Sequence, residues 1–271
     1  MTDNASDDVD FVGKPNSRQR ALAYCVHLLT ASGIVPAALA MHEIMQPDCD
    51  PRVVFLYLLV TTVIDAIDGP LARRFHVKRF AASIDGRTID DLLDYLTFAF
   101  IPLLLVWRMD WLPAGLGWTT TLAMAASLLG FAHRDAKDEA NGFFRGFPSY
   151  WNIAVFYAGI LFQWAGPWSV ACLLGCLTAL TVSPIRMIYP NLAPQRHRGW
   201  ILIGAALWSL TLLGMTWDYP LPPPWLLGIS LIYPVCYAIA SCVLSRTVHN
   251  TSFKTAPKIQ LRANESPFRE S

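Results

Sequence analysis

Charge is scarce in this sequence: Asp, Glu, Lys and Arg make up 15% of its 271 residues, where a soluble domain carries about 25%. That shortage argues against a water-exposed globule, and a hydrophobic content of 54% excludes intrinsic disorder. Cysteine is thin as well. The six are spread over the whole chain, and Cys25, Cys172, Cys176, Cys236 and Cys242 lie in apolar runs, where a thiol acts as a small hydrophobe. This excludes a disulfide-stapled miniprotein and a Cys-based zinc module. A net charge of +1 offers nothing to nucleic acid, and neither repeats nor low-complexity segments interrupt the sequence. The first ten residues are acidic and polar, without the basic segment and short apolar core of a cleavable signal peptide.

What the chain does have is long apolar runs. A membrane-crossing helix takes about 20 mostly apolar residues, and eight runs meet or approach this, near 20–44, 52–75, 86–107, 114–133, 149–163, 167–188, 200–217 and 223–245. The connectors carry Pro, Gly, Asp and Asn, as in Gln46-Pro47-Asp48 and Pro222-Pro223-Pro224, which suits helix ends rather than strands. The expected fold class is all-α: a polytopic integral membrane bundle of about eight helices. A polar segment 1–19 precedes the membrane domain 20–245, and a polar tail 246–271 follows it. Lys and Arg mark the cytoplasmic loops. Eight spans place all but Arg52 and Arg108 of the 21 basic residues on one side, so both termini are expected in the cytoplasm. The stretch from Arg73 to Arg87 is then a cytoplasmic loop between the second and third spans.

Two of these runs contain carboxylates at membrane depth. The second carries Asp65 and Asp68, and the third opens with Gly86-Arg87-Thr88-Ile89-Asp90-Asp91-Leu92-Leu93-Asp94. A charge there costs at least a few kcal/mol, so a group of them requires cations or a wet cavity. Helical periodicity puts Asp65, Asp68 and Ala72 on one face, and Gly86, Asp90 and Asp94 on another, while Asp91 points about 100° away from Asp90. Four converging carboxylates without nearby His or Cys suit a hard cation such as Mg²⁺ or Mn²⁺, and two ions would balance the charge better than one. Gly69 and Ala72 would let a bulky polyanion approach the helix, and Arg73 offers a fork for phosphate. Together these residues describe a diphosphate site. Gly69-Pro70 is expected to bend or loosen the helix, and a membrane tolerates a broken helix where it lines a cavity. The competing structural reading is a buried ion-pair network of the same acids with Arg73 and Arg87. Asp85 and Asp91 read as solvated flanking residues. His27 and Thr30 in the first run read either as core or as a contact for a bound base.

The run Asp65-x2-Asp68-Gly69-x2-Ala72-Arg73, followed by Gly86-x3-Asp90-x3-Asp94, resembles the signature of the CDP-alcohol phosphotransferases. Twelve residues separate Arg73 from Gly86 where that family usually has eight. This spacing, the eight runs and segments such as Phe147-Pro148-Ser149-Tyr150-Trp151-Asn152 resemble the bacterial, phosphatidylcholine-forming branch. The resemblance implies an integral enzyme of the bacterial inner membrane with its active site facing the cytoplasm. It would transfer a phosphatidyl group from CDP-diacylglycerol to the hydroxyl of choline and release CMP. It assigns Asp65, Asp68 and Asp90 as ligands of Mn²⁺ or Mg²⁺, and Asp94 as a shared ligand or the general base. Gly69, Ala72, Arg73 and Gly86 would contact or accommodate the CDP moiety. A quaternary ammonium is held against aromatic faces, for which Tyr95, Tyr150 and Trp151 are available, although Trp and Tyr also anchor helices at membrane interfaces. A homodimer is compatible with the family. The alternatives are another acceptor (serine, inositol, ethanolamine or glycerol phosphate), a prenyltransferase, or a divalent-cation or proton-coupled transporter. The prenyltransferase lacks the Gly-x2-Ala-Arg segment, and transport predicts acids at the midplane in related halves.

Overall fold

The computed structural model describes residues 16–133, 137–138, 143–188 and 195–255, with side chains described throughout except at 137–138, 143–145, 186, 195–198 and 244–255. The expected polar segment 1–19 and tail 246–271 therefore lie largely outside the described residues. Each of the eight apolar runs holds one helical stretch. These are α1 (Ser17–Ser32) with α2 (Ile34–Met45); α3 (Pro51–Arg74); α5 (Gly86–Asp94) continued by a π-helical turn, Tyr95–Phe100, into α6 (Ile101–Arg108); α7 (Thr120–Ala132); α8 (Trp151–Ala165); α9 (Pro167–Val182); α10 (Gln195–Thr216); and α11 (Pro224–Thr255). A one-turn helix, α4 (Val77–Phe80), lies between α3 and α5. Among the described residues, four stretches are long and apolar enough to cross a membrane: Ser17–Met45, Pro51–Arg74, Gly199–Thr216 and Pro224–Val243. The protein is thus an all-α membrane protein.

The three helices that matter most begin on capping side chains. Asn16 accepts from the Arg18 N–H at 3.4 Å while the Gln19 side chain receives the Asn16 N–H at 3.0 Å, a reciprocal box that starts α1. Asp50 caps α3 with Pro51 in the first turn, where a missing N–H costs nothing. Asp85 caps α5, accepting from the Arg87 N–H at 3.1 Å and the Thr88 hydroxyl at 2.8 Å. Asp85 is therefore a cap rather than a merely solvated flank.

Two of the apolar runs, the first and the sixth, differ from their expected helical extent, whereas the second does not. The α3 helix runs unbroken through Gly69 and Pro70 to Arg74; Pro70 forfeits the bond to the Ala66 carbonyl without ending the helix. The interruption falls instead in the first run, at Gly33, between α1 and α2. Pro36 lies three residues on and cannot donate to Ser32, and the Gly33 N–H turns back to the Thr30 carbonyl at 3.0 Å. The sixth run also stops short, at Val182 rather than 188, because Ser183 precedes Pro184 and is held extended at ψ 156°.

The released chain does something the sequence did not announce. Arg186–Ile188 (β3) pairs antiparallel with Phe143–Arg145 (β2), which pairs with Lys137–Asp138 (β1). Two connectors expected to be plain helix ends thus satisfy their backbone groups on each other, helped by Gly146 N–H to Ile185 O and Phe147 N–H to Leu180 O.

Ala37 and Ala40 of α2 meet Val54 and Leu58 of α3, small residues that let the two backbones approach, and the same core continues through Ile101, Leu105, Trp151 and Val155. The α10–α11 pair joins this body through Tyr157 of α8, whose hydroxyl contacts Ser230 at 3.0 Å and receives the Trp208 indole N–H at 3.2 Å. Its outer face, including Leu207, Leu210, Ile232 and Val235, is exposed, as a lipid-facing surface should be.

Candidate active site

Helices α1, α3 and α5 pack around one cleft. It is lined by Thr30, Gly33, Thr61, Ile64, Asp65, Asp68, Asp90, Leu93, Asp94 and Thr97. All four signature carboxylates therefore face the same space, as their spacing predicts. Asp91 is elsewhere, with Arg87 Nε 3.7 Å from its Oδ2 across one helical turn.

The four are not equivalent. One carboxylate oxygen from each of Asp65, Asp68 and Asp90 lies within 4.8 Å of the other two, whereas Asp94 lines the cleft outside that group. Two unit charges at this separation repel by about 3–4 kcal/mol at an effective dielectric of 20, a repulsion that a cation would offset. Three hard oxygen donors with no sulfur or imidazole among them fit a divalent ion of the Mg²⁺ or Mn²⁺ type, and this cluster could bind a metal ion.

Asp68 is buried, and its carboxylate is within hydrogen-bonding range of the Thr30 hydroxyl and the Gly69 N–H. Thr30 itself also reaches the Val26 carbonyl at 3.3 Å, so α1 supplies a polar support to a carboxylate carried by α3. Upstream, the Asn152 amide of α8 donates to Thr62 at 3.3 Å, tying the α8 N-terminus to the turn of α3 that leads into Asp65. Asp94 stands at the end of regular α-helix. The next turn is π-helical, with the Ile101 N–H reaching back five residues to the Leu96 carbonyl. The following residue, Pro102, has no N–H for the Phe98 carbonyl, and the wider turn accommodates its ring. Thr97, within that turn, completes the lining below Asp94.

None of the expected headgroup residues Gly69, Ala72, Arg73 and Gly86 is among the residues that line this cleft. A Cβ on Gly69 would lie 3.7 Å from Arg73 Nη1, so the guanidinium folds back over the glycine. Ala72 packs with Ala23, Val26, Val77 and Ala81. This packing explains the long connector: its extra residues form α4, which docks on α1, and Tyr24 and Ser83 join hydroxyls across the gap at 2.8 Å. Gly86 leaves room as expected, but the room is taken. A Cβ there would lie 2.6 Å from Cε1 and 2.9 Å from Nδ1 of His27.

Of the three aromatics considered for an ammonium, Tyr95 is half-buried with its hydroxyl on the Met124 carbonyl at 3.3 Å. Tyr150 is half-buried beside Phe98, ring centroids 6.1 Å apart. Trp151 is wholly buried, its indole N–H on Ser127 at 2.7 Å. None of them is among the residues that line the carboxylate cleft. The lining residues Thr61 and Ile64 went unread in the sequence although Thr61 precedes Asp65 by four. Gly33 and Thr97 carried no comparable signal, since both reach the cleft through an irregularity of their helix.

The signature carboxylates on two helices around one cleft are those of a CDP-alcohol phosphotransferase. No protein-family model matches the chain. Among curated proteins, it is 34% identical over 213 residues to a phosphatidylcholine synthase of Bradyrhizobium diazoefficiens, covering 78% of this chain and 77% of that protein. It is 33% identical to one of Pseudomonas aeruginosa, covering 63% and 70% respectively. With one of Legionella pneumophila the identity is 37%, covering 62% and 65%. The chain belongs to the phosphatidylcholine synthase family of the CDP-alcohol phosphotransferases.

Proposed function

We propose that this enzyme transfers the phosphatidyl group of CDP-diacylglycerol to the hydroxyl of choline, forming phosphatidylcholine and releasing CMP. The observation that carries the reading is the division of the cleft into a three-carboxylate cluster and a fourth carboxylate beside it. Its relatives' names supply the product.

Asp94 accepts the proton of the choline hydroxyl as that oxygen attacks the phosphatidyl phosphorus and the bond to the CMP oxygen breaks. A positioned base of this kind contributes about 10² to 10⁴ in rate to an alcohol that is a poor nucleophile near neutral pH. Divalent cations held by Asp65, Asp68 and Asp90, two in our reading and Mn²⁺ or Mg²⁺ by their hard donors, supply charge neutralisation for the diphosphate and the leaving CMP. Asp94 stands outside the tight cluster, which supports its role as base over that of a principal ligand. Arg73, folded over Gly69, places a fixed positive charge beside the headgroup, and Ala72 keeps that wall thin. For the ammonium, Tyr95, next to Asp94 in sequence, and Tyr150 are the stronger choices, and Trp151 serves to hold α8 against α7. The basic residues on one set of connectors support eight spans in the bacterial inner membrane, with both termini and the cleft on the cytoplasmic side.

The test uses the purified chain in detergent with CDP-diacylglycerol and Mn²⁺. CMP release is measured with choline, serine, inositol, ethanolamine and glycerol 3-phosphate offered separately, before and after EDTA. Choline-dependent release that stops on chelation and returns with Mn²⁺ or Mg²⁺ is the expected result. Release with another acceptor alone overturns the choline assignment, and release that survives complete chelation overturns the metal.

A further inference from the structure

Among the described residues, one buried side-chain polar atom has no hydrogen-bond partner: Nε2 of His27. The residue is 6% exposed, and leaving such an atom unpaired is costly enough that native structures rarely tolerate it without a purpose. Its position supplies one. His27 lies one turn before Thr30 on α1, and Thr30 lines the cleft and supports Asp68. The imidazole lies against Gly86, which begins the helix that carries Asp90 and Asp94. The ring fills the space over Gly86, so a group that reaches this contact meets the imidazole rather than the glycine.

We propose that His27 is a headgroup-binding residue, its Nε2 hydrogen-bonding the nucleoside diphosphate of the CDP-linked lipid where that headgroup reaches the ring packed on Gly86. This rests on the phosphatidyl-transfer reading above and extends its binding site to α1. The glycine and the histidine form a matched pair: the missing Cβ admits the ring, whose Nε2 is left without a partner. A nucleoside diphosphate offers acceptors at its phosphate oxygens and pyrimidine carbonyl, and hydroxyls on its ribose, any of which satisfies a neutral imidazole nitrogen. The free enzyme keeps the nitrogen unpaired, and the bound headgroup pairs it.

A packing ring and a binding ring respond oppositely to the same substitutions. His27→Phe keeps the aromatic ring against Gly86 and removes the orphaned nitrogen, whereas His27→Gln keeps a hydrogen-bonding group without the ring. The full-length protein in detergent with Mn²⁺ is titrated with CDP, its KM for CDP-diacylglycerol is measured, and its thermal unfolding is followed. We expect His27→Phe to unfold at or above the wild-type temperature, yet to bind CDP about tenfold more weakly, with KM for the lipid raised by a similar factor and kcat within about twofold. His27→Gln should recover most of the CDP affinity. Where His27→Phe does not fold, His27→Ala takes its place in the same contrast with Gln. Wild-type affinity for CDP in the variant without the nitrogen assigns the ring to packing alone and overturns the proposal, leaving phosphatidyl transfer standing. Failure of the wild-type protein itself to bind CDP overturns both.

Discussion

At the N-terminal end of α3 the charged side chains are spent on fixed partners. Asp50 receives the Arg52 guanidinium at 2.7 Å, and Glu43 accepts the Asp50 N–H at 2.8 Å. Arg108 donates to the Ile44, Gln46 and Pro47 carbonyls at 3.1, 2.8 and 3.1 Å, closing the open end of α2. Four turns further along the same helix, Asp65 and Asp68 face Asp90 with like charges gathered within 4.8 Å. One end is a clasp, in which each charge stabilises the fold. The other gathers like charges into a cluster that could bind a metal ion. The difference teaches where to look for chemistry in a protein poor in charge: at side chains of one sign gathered on one cleft.

The sharpest way to break this comparison is to remove one carboxylate from the cleft. Asp65→Asn, Asp68→Asn and Asp90→Asn should each lower CMP release by more than about 10³-fold, while thermal unfolding stays level or rises because a repulsion is removed. Asp94→Asn should cost about 10² to 10⁴ in kcat and leave Mn²⁺ binding, followed by electron paramagnetic resonance, close to wild type. Asp91→Asn should retain most of the activity. A large fall in unfolding temperature on Asp68→Asn would make the cleft a structural ion network after all.

The two regions were unequally legible. The cleft's acids could be read because a helix converts the spacings of three and four into a shared face, whatever surrounds it, and Asp65, Asp68, Asp90 and Asp94 needed nothing more. Gly33 was not read, since the chain carries equally plausible breakers at Gly69-Pro70, and only packing decides which one interrupts its helix. The His27–Gly86 contact lies between residues nearly sixty positions apart in sequence, and no local pattern encodes such an approach. The clasp was legible only in retrospect: Asp50-Pro51 is a helix start, and Asp85 with Thr88 three residues on is another. Arg108, by contrast, entered the sequence reading only as a charge to be counted, and nothing near it announced that three carbonyls of a distant helix end await it.

Arg108→Ala tests the clasp as the Asp variants test the cleft. It should lower stability by about 1–2 kcal/mol, because three carbonyls lose a charged donor, and so lower the unfolding temperature by a few degrees. The KM for CDP-diacylglycerol and kcat should both hold within about twofold at a temperature where the variant is folded. The reverse pattern, intact stability with lost turnover, would mean that the two ends of α3 are coupled and that the clasp belongs to the site.

The smallest effect is the most diagnostic of how the clasp works. The Arg52 side chain beside Asp50 holds its carboxyl below the ordinary carboxylate range, against a weaker opposing push from burial. Asp50→Asn keeps a good helix cap and removes only the charge. A folded-state pKa below the unfolded value of about 3.9 gives stability that is fully present above that value and is lost as pH falls through the lowered one. The wild-type protein should therefore unfold slightly above Asp50→Asn at pH 6, and the gap should close as pH is taken down through the carboxylate range. Both side chains are partly exposed, so the gap at pH 6 should also shrink in 1 M salt. A gap that ignores both pH and salt would place the contribution of Asp50 in its cap alone, and the clasp would then rest on Arg108 and its carbonyls.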